Sequence, residues 1–284
     1  MRFENFSGIT RSLDIGYPTN VAIVILSGVI VVAGTGFQFL GGVLWFSALF
    51  WGIQAGLGVF FAWALARELD PDHDLSAFVA AGLAIVGVAI IGPSNILTTL
   101  WLLFLLRLIN RSTGLPATGI DSLAILLLAG WLTQSENWIY GLATTLALFL
   151  DAWLPQPNTR QWFFGGLALS GTIFWFASTG SLISPTQFSL EFILPVIMIS
   201  LLFIPVIFAA RRLTSLSDRT NAPLNPIRLR ATQVIALLAG LQLAFWEALP
   251  GWITVLSLWA ALLGTSLFRV FFYLKHRQEM RSSP

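Results

Sequence analysis

Residues 43–91 read VLWFSALFWGIQAGLGVFFAWALA, then RELDPDHD, then LSAFVAAGLAIVGVAII. Two apolar runs, residues 43–66 and 75–91, therefore flank an eight-residue polar connection. A helix that crosses the hydrocarbon core of a bilayer needs about 20 predominantly apolar residues, with roughly 17 as the lower limit. Both runs reach that length, so the stretch predicts two membrane-spanning helices joined by a polar turn.

The rest of the chain has the same apolar character. Of its 284 residues, 56% are apolar and only 10% are charged, and the mean hydropathy is +0.82. A soluble domain carries about 25% charged residues, so this chain could not maintain a water-facing surface. Membrane lipid is therefore the expected solvent and partner of a single integral membrane domain, residues 1–284.

The sequence divides into about ten apolar spans separated by polar, Gly-containing or Pro-containing turns. Its fifteen Lys and Arg residues occur only near the two chain ends and in alternate connections between the spans. Because basic residues are retained on the cytoplasmic side, this alternation predicts an all-α polytopic transmembrane bundle in the cell inner (plasma) membrane, with both termini cytoplasmic. The expected spans lie near residues 18–34, 43–66, 75–91, 96–109, 121–133, 138–154, 161–177, 190–210, 231–248 and 252–273, with a turn at Pro250 between the last two.

Some of these spans are short, notably residues 96–109 and 121–133. Either their ends extend into the loops, or the bilayer thins locally, or residues 75–109 form a re-entrant pair. With ten expected spans in fewer than 300 residues and both ends inside, the chain resembles the drug/metabolite exporters, which are built from two five-helix halves. The resemblance implies halves 1–136 and 137–284 in inverted orientation, because each half has an odd number of spans.

The connection between residues 67 and 74 crowds four carboxylates and a histidine into eight residues. Asp70, Asp72 and Asp74 alternate along it, and carboxylate oxygens are the ligands that Mg²⁺ prefers. A metal ion held there could bind a phosphate or diphosphate group. The alternative is a solvated loop in which Asp74 or Ser76 caps the following helix, and carboxylates near that N-terminus suit the helix dipole.

Two further loops add arginines and a carboxylate to the same side. Arg107 and Arg111 share a helical face, and paired guanidinium groups bind phosphate through planar, multidentate hydrogen bonds. Alternatively, they anchor the topology at lipid phosphates or pair with the acidic connection. Asp151 lies one turn inside the boundary, where a carboxylate is costly unless it is paired or hydrated. One cytoplasmic pocket is therefore expected to contain Asp70, Asp72, Asp74, Arg107, Arg111 and Asp151.

The opposite side carries few charges. Glu247, one turn before Pro250, is a candidate for a protonatable group that faces an outward cavity, with Gln242 deeper in the same span; the alternative is an ordinary interfacial glutamate. Ion-driven transporters usually keep an ionisable or carbonyl-lined site near the midplane. Only the span that contains Pro195 and Pro205 could expose carbonyls there, unless those prolines are simple kinks.

Several classes of function are excluded or left open by composition. Cysteine is absent, which excludes disulfides, thiolate metal sites and cysteine nucleophiles. The formal net charge is only +2, so nucleic acid is not an expected partner. The leading hypothesis is a transporter of a small organic or amphipathic solute. The alternatives are a membrane-embedded enzyme that acts on a lipid or isoprenoid phosphate at the cytoplasmic face, with Mg²⁺ as its cofactor, and a structural or assembly subunit of a membrane complex.

Overall fold

The structure, a computed structural model, describes residues 6–11, 13–14, 16–179, 190–211 and 213–282, without the side chains of residues 190–192, 247–249 and 274–282. Over these ranges the chain is all-α, as predicted, and ten helices follow one another. The helices are α1 Pro18–Leu40, α2 Trp45–Leu69, α3 Asp74–Ile91, α4 Ile96–Asn110, α5 Gly119–Ser135, α6 Ile139–Trp153, α7 Arg160–Thr179, α8 Leu190–Ala209, α9 Pro226–Thr254 and α10 Leu256–Ser282.

Side-chain caps fix the beginnings of several helices. The Asn95 side chain accepts hydrogen bonds from two backbone N–H groups at the start of α4. Asn225 does the same for α9, whose first residue is Pro226. At the start of α5, Thr118 and Asp121 form a reciprocal capping box. These contacts supply partners for N–H groups that the first turn of a helix leaves unpaired.

Helices α2 and α4 lie at the centre of the bundle. Helix α2 packs against α1, α3, α4 and α10, and α4 packs against α2, α5, α6 and α9. The indole of Trp101 on α4 is buried and donates a 2.8 Å hydrogen bond to the Thr144 hydroxyl on α6. Helices of the two expected five-helix halves thus share one core, and the division into halves stays a prediction.

Small residues bring two pairs of these helices, α1 with α2 and α3 with α10, into close contact. A Cβ atom added to Gly52 on α2 would lie 2.2 Å from the Thr35 hydroxyl oxygen on α1, and one added to Gly56 would lie 2.4 Å from Val31. On α10, a Cβ atom at Gly264 would lie 2.6 Å from the backbone of Ala80 on α3. Glycines at these positions therefore let the helix backbones approach without intervening side chains.

Five of the described helices are both long enough and apolar enough to cross a membrane. These are α1, α2, α3, the Pro226–Trp246 part of α9 and the Leu256–Tyr273 part of α10. Four shorter apolar helices accompany them: Ile96–Asn110, Gly119–Ser135, Ile139–Trp153 and Ile193–Ala209. The chain is therefore a helical protein whose apolar helices suit a multi-pass membrane protein, whereas the number of crossings and the orientation of the termini stay predictions.

The expected turn at Pro250 is wrong. Helix α9 continues through Pro250 to Thr254, and the break before α10 falls at Val255. The backbone N–H of Asn95, in the α3–α4 turn, donates a 3.2 Å hydrogen bond to the carbonyl of Thr254. The α3–α4 turn thus lies beside the C-terminal end of α9, and full crossing by α3 and α4, like the re-entrant alternative, stays a prediction.

Candidate functional site

The basic connections meet at one end of the bundle, which we call the arginine end. It comprises the N-terminal segment 6–14, the connections that follow α2, α4, α6 and α8, and Arg269 on α10. Hydrogen bonds join these segments to one another, so the alternation of basic residues along the sequence corresponds to a single polar end. Three fully buried carboxylates, those of Glu68, Asp70 and Asp151, organise it.

Asp151 on α6 is clamped between two arginines. Arg111 donates through Nε and Arg228 through Nη1 to the same oxygen, Oδ1, at 2.9 and 2.8 Å. Backbone carbonyls fix the guanidinium groups further, since Arg111 donates to Gln156 at 2.6 Å and Arg228 to Ile109 at 2.8 Å. A buried carboxylate needs a cationic partner, and here the end of α4 and the beginning of α9 each supply one.

Glu68 occupies the corresponding position at the end of α2. Its carboxylate accepts hydrogen bonds from Arg107 Nε at 3.1 Å, Arg11 Nη1 at 3.3 Å, Ser112 Oγ at 3.1 Å and Asn110 Nδ2 at 3.2 Å. These donors come from the N-terminal segment, from α4 and from the connection that follows α4. Glu68 thus holds two arginines close together without itself reaching water.

Sequence reasoning did not single out Glu68 as a site residue. It was counted with the acidic connection, although it precedes Leu69, the last residue of α2, and is fully buried. The sequence did carry a signal for this burial. Asp70-Pro71 ends the helix after Glu68, so the Glu68 side chain still belongs to α2 rather than to a solvated loop.

Asp70 faces α10 instead. Its Oδ1 accepts a 2.7 Å hydrogen bond from Arg269 Nη2 and lies 3.0 Å from Nδ1 of His73. The His73 ring also lies against Phe268 and Phe272, with 5.6 Å between ring centroids in each case. The hydrogen bond with Asp70 raises the pKa of His73 above its ordinary value, and this outweighs the effect of partial burial.

Asp72 and Asp74 have partners of their own. Asp72 accepts hydrogen bonds from the Ser215 hydroxyl at 2.6 Å, the Ser215 backbone N–H at 2.9 Å and the Thr214 backbone N–H at 3.1 Å. Burial alone would raise the pKa of Asp72, but these hydrogen bonds stabilise the carboxylate and lower it overall. Asp74 lies in the first turn of α3, where its charge suits the helix dipole, and pairs with Arg67.

The three carboxylates suggested as Mg²⁺ ligands therefore have three separate sets of partners. Within the part of the chain that the structure describes, no three His, Cys, Asp or Glu side chains form a group that could hold a metal ion. The solvated-loop alternative does not describe this connection fully either, because Asp70 is fully buried and Asp74 lies in the first turn of α3 without capping it.

Two segments cover the arginine end. Arg219, in the connection between α8 and α9, donates to the backbone carbonyls of Ser7 at 2.8 Å and Thr10 at 2.6 Å. The Asp121 carboxylate accepts a 2.7 Å hydrogen bond from the backbone N–H of Gly8. The N-terminal segment is thereby held between the start of α5 and the connection between α8 and α9.

An amphipathic cavity of about 260 Å³, the Arg67 cavity, lies beneath this cover between α2 and α4. Arg11, Arg67 and Arg107 line its polar end together with Asn20, and none of the described lining residues is acidic. Residues spaced three or four apart on α2 and α4 present one face of each helix to the cavity. Its apolar wall is formed chiefly by Phe60, Phe61, Trp63, Leu100, Leu103 and Phe104.

A second, more polar cavity of about 410 Å³ adjoins the first, and we call it the outer cavity because exposed residues such as Tyr17 and Leu216 line it. The two cavities share Arg11, Asn20 and Arg67, so Arg67 stands at their junction. The guanidinium carbon of Arg67 lies 5.7 Å from the ring centroid of Trp63. Asp218 lines the outer cavity and pairs with Arg11. Burial raises the pKa of Asp218, although the charge of Arg11 opposes that rise.

The residues predicted to form one pocket are thus divided. Arg107 lines the Arg67 cavity and Asp74 lines the outer cavity, whereas Arg111 and Asp151 form a separate buried pair. Gln242 lies half-buried on α9, away from both cavities, and the side chain of Glu247 is outside the described residues. In comparisons with known proteins, no family model, characterised protein or solved structure matches this chain.

Proposed function

We propose that this protein is a multi-pass inner-membrane protein that binds an anionic amphiphile in the Arg67 cavity and moves it across the bilayer. The observation that carries the proposal is the composition of that cavity, in which three arginines stand at one end of an aromatic groove. Arginine binds phosphate and carboxylate groups through planar sets of N–H donors. An anionic headgroup would lie among the guanidinium groups, and its apolar tail would lie along α2 and α4.

The arginines are held in place before any ligand binds. Glu68 fixes Arg107 and Arg11 from the buried side, and Asp74 pairs with Arg67. Each guanidinium group has five N–H donors, and these carboxylates use only some of them. The remaining donors of the three arginines are available to a ligand. Preorganised donors bind more tightly because less side-chain entropy is lost on binding.

The ion pairs made by the acidic side chains favour transport over catalysis at this site. Glu68 is fully buried, and Asp74 and Asp218, which line the outer cavity, each pair with an arginine, so none of these three carboxylates is an unpaired general base. The outer cavity supplies a polar route to the arginine end, and the apolar groove supplies a route into the bundle. We assign the arginine end to the cytoplasmic side, because basic residues collect there.

Titration of the protein in lipid nanodiscs with decyl phosphate tests the binding step. Arg67→Gln removes a charge from the cavity and leaves only the half-exposed Asp74 without its partner. Loss of one charge-assisted hydrogen bond should weaken binding roughly tenfold. Arg211→Gln, at an exposed arginine of the same end, is the matched control and should bind like the parent protein. Equal affinity for decyl maltoside, which is uncharged, would contradict an anion site.

Reconstitution into liposomes tests the transport step. A fluorescent alkyl phosphate should cross proteoliposome membranes faster than protein-free membranes, and Arg67→Gln should lower that rate. Binding without accelerated flux would rule out translocation. Release of inorganic phosphate from the bound amphiphile would instead establish the enzyme alternative.

A further inference from the structure

A second cavity lies at the end of the bundle opposite the arginines. It has a volume of about 300 Å³ and lies between α5 and α7, with Gly141 of α6 behind it. No charged residue is among the described residues that line it. Gly130 and Gly171 both line this space, and a Cβ atom at either position would meet nothing within 4 Å. We call it the Thr133 cavity.

A buried hydroxyl in this cavity has no partner. The Thr133 side chain is 5% exposed, and its Oγ1 makes no hydrogen bond. Other buried threonines of the bundle, such as Thr144 and Thr145, donate to the carbonyl four residues earlier. A buried hydroxyl without a hydrogen bond carries a desolvation cost, so Thr133 is poised to donate to an added group.

A second hydroxyl lies close to it. Thr172 donates to the carbonyl of Ala168 at 2.8 Å, which leaves the lone pairs of its oxygen able to accept. A point at the Cβ position of Gly141 would be 2.2 Å from Thr172 Oγ1 and 3.0 Å from Thr133 Oγ1. The hydroxyl oxygens of Thr133 and Thr172 can therefore be no farther apart than these two distances added together. At that separation one ligand hydroxyl can contact both.

We propose that the Thr133 cavity binds the hydroxyl group of an uncharged, long-chain amphiphile. The ligand hydroxyl accepts a hydrogen bond from Thr133 and donates one to Thr172. Its chain lies in the space left by Gly130 and Gly171, against the apolar residues of α7. The site is separate from the Arg67 cavity in both its helices and its charge, so it stands independently of the proposed transport function.

Photolabelling in nanodiscs with a diazirine derivative of hexadecanol tests this site. Label should appear on the peptides of α5 and α7 that line the cavity, and unlabelled hexadecanol should compete for it. Hexadecane and hexadecyl phosphate should compete far less, because one lacks the hydroxyl and the other carries charge. Equal competition by hexadecane would show an ordinary lipid-facing groove and would overturn the proposal.

Substitutions at Thr133 separate ligand binding from folding. Thr133→Val keeps the shape and removes the unpaired hydroxyl, so labelling that hexadecanol can displace should fall roughly three- to tenfold. Thermal stability should stay the same or rise, because no hydrogen bond within the protein is lost. Thr133→Ser restores a hydroxyl and should restore labelling. Undiminished labelling of a folded Thr133→Val protein would refute the role of this hydroxyl.

Two glycine variants on α7 test the location. Gly171→Leu places a side chain into the cavity and should abolish the displaceable labelling. Gly166→Leu is the matched control, because a Cβ atom there also meets nothing within 4 Å but Gly166 does not line the cavity. Equal labelling of the two variants would place the ligand elsewhere.

Discussion

Arg228 and Asp151 lie 77 residues apart in the chain, and a 2.8 Å hydrogen bond joins them within the protein. The same carboxylate oxygen accepts a hydrogen bond from Arg111, so one negative charge serves two buried guanidinium groups. Through this contact α6 is tied to the end of α4 and to the beginning of α9. The contact therefore couples parts of the bundle that the sequence separates widely.

Replacement of Asp151 by Asn should destabilise the protein strongly. Among the described residues, two buried arginines would lose their one carboxylate partner, and removal of one member of a buried ionic cluster costs about 3–5 kcal/mol. Thermal or denaturant unfolding in detergent measures the loss. Glu136→Gln is the control: it removes an exposed carboxylate at the C-terminal end of α5, far from the clamp, and should change stability little. Similar stability of the two variants would show that the clamp contributes nothing.

Contact between α3 and α10 depends on Gly264. Gly264→Ala should destabilise the bundle by about 1–3 kcal/mol, because the added Cβ meets the backbone of Ala80, which cannot rotate away. Gly82→Ala on α3 is the control, since its Cβ meets nothing within 4 Å and alanine favours helix by about 1 kcal/mol. Unfolding curves of the two variants should shift in opposite directions, and a stabilised Gly264→Ala protein would contradict the packing.

His73 should make stability depend on pH. Its pKa is raised in the folded protein, chiefly by the hydrogen bond with Asp70, while Arg269 opposes and Asp72 supports the charge. The stabilisation is therefore complete below about pH 6.5, the ordinary value for histidine, and is lost as pH rises through the folded-state pKa.

Unfolding of the parent protein and of His73→Gln at acidic and alkaline pH measures this dependence. The parent protein should exceed the variant in stability by more at about pH 5.5 than at about pH 9. His276→Gln, at the other histidine of the chain, is the control. A difference that grows with rising pH would have the wrong sign for this account.

Asp72 should hold the connection between α8 and α9 in place. Asp72→Ala removes the acceptor for two backbone N–H groups and one hydroxyl of Thr214 and Ser215, so hydrogen exchange in residues 213–218 should accelerate. Asp74→Asn, in the same acidic connection, breaks only a partly exposed ion pair and should leave that exchange unchanged. Equal exchange in both variants would contradict the tethering role of Asp72.

The sequence allowed the helical class and the grouping of basic connections to be predicted, because both follow from composition and alternation along the chain. The spacing of Gly52 and Gly56 is also a local signal of helix packing, since small residues four apart permit close helix contact. Which acidic side chain pairs with which arginine could not be predicted in this way. Glu68 and Arg107 meet only because α2 and α4 are neighbours, and no local pattern identifies which helices are neighbours.

Pro250 misled the prediction for a local reason. Proline commonly ends a helix because it lacks an N–H group, yet α9 carries Pro250 inside its last turns. Similarly, the alternation of Asp70, Asp72 and Asp74 indicated a shared ligand, whereas the turn between α2 and α3 directs each toward a different element. Tertiary neighbours decided these outcomes.

Sidedness of the arginine end is the claim on which the proposed function depends most directly. The chain has no cysteine, so single cysteines at Ser135 and Thr159, both exposed and at opposite ends of α6, can report on it. A membrane-impermeant maleimide added to intact cells should label Ser135→Cys at once and Thr159→Cys only after permeabilisation. Labelling of Thr159→Cys in intact cells, with Ser135→Cys protected, would place the arginines outside and contradict the account.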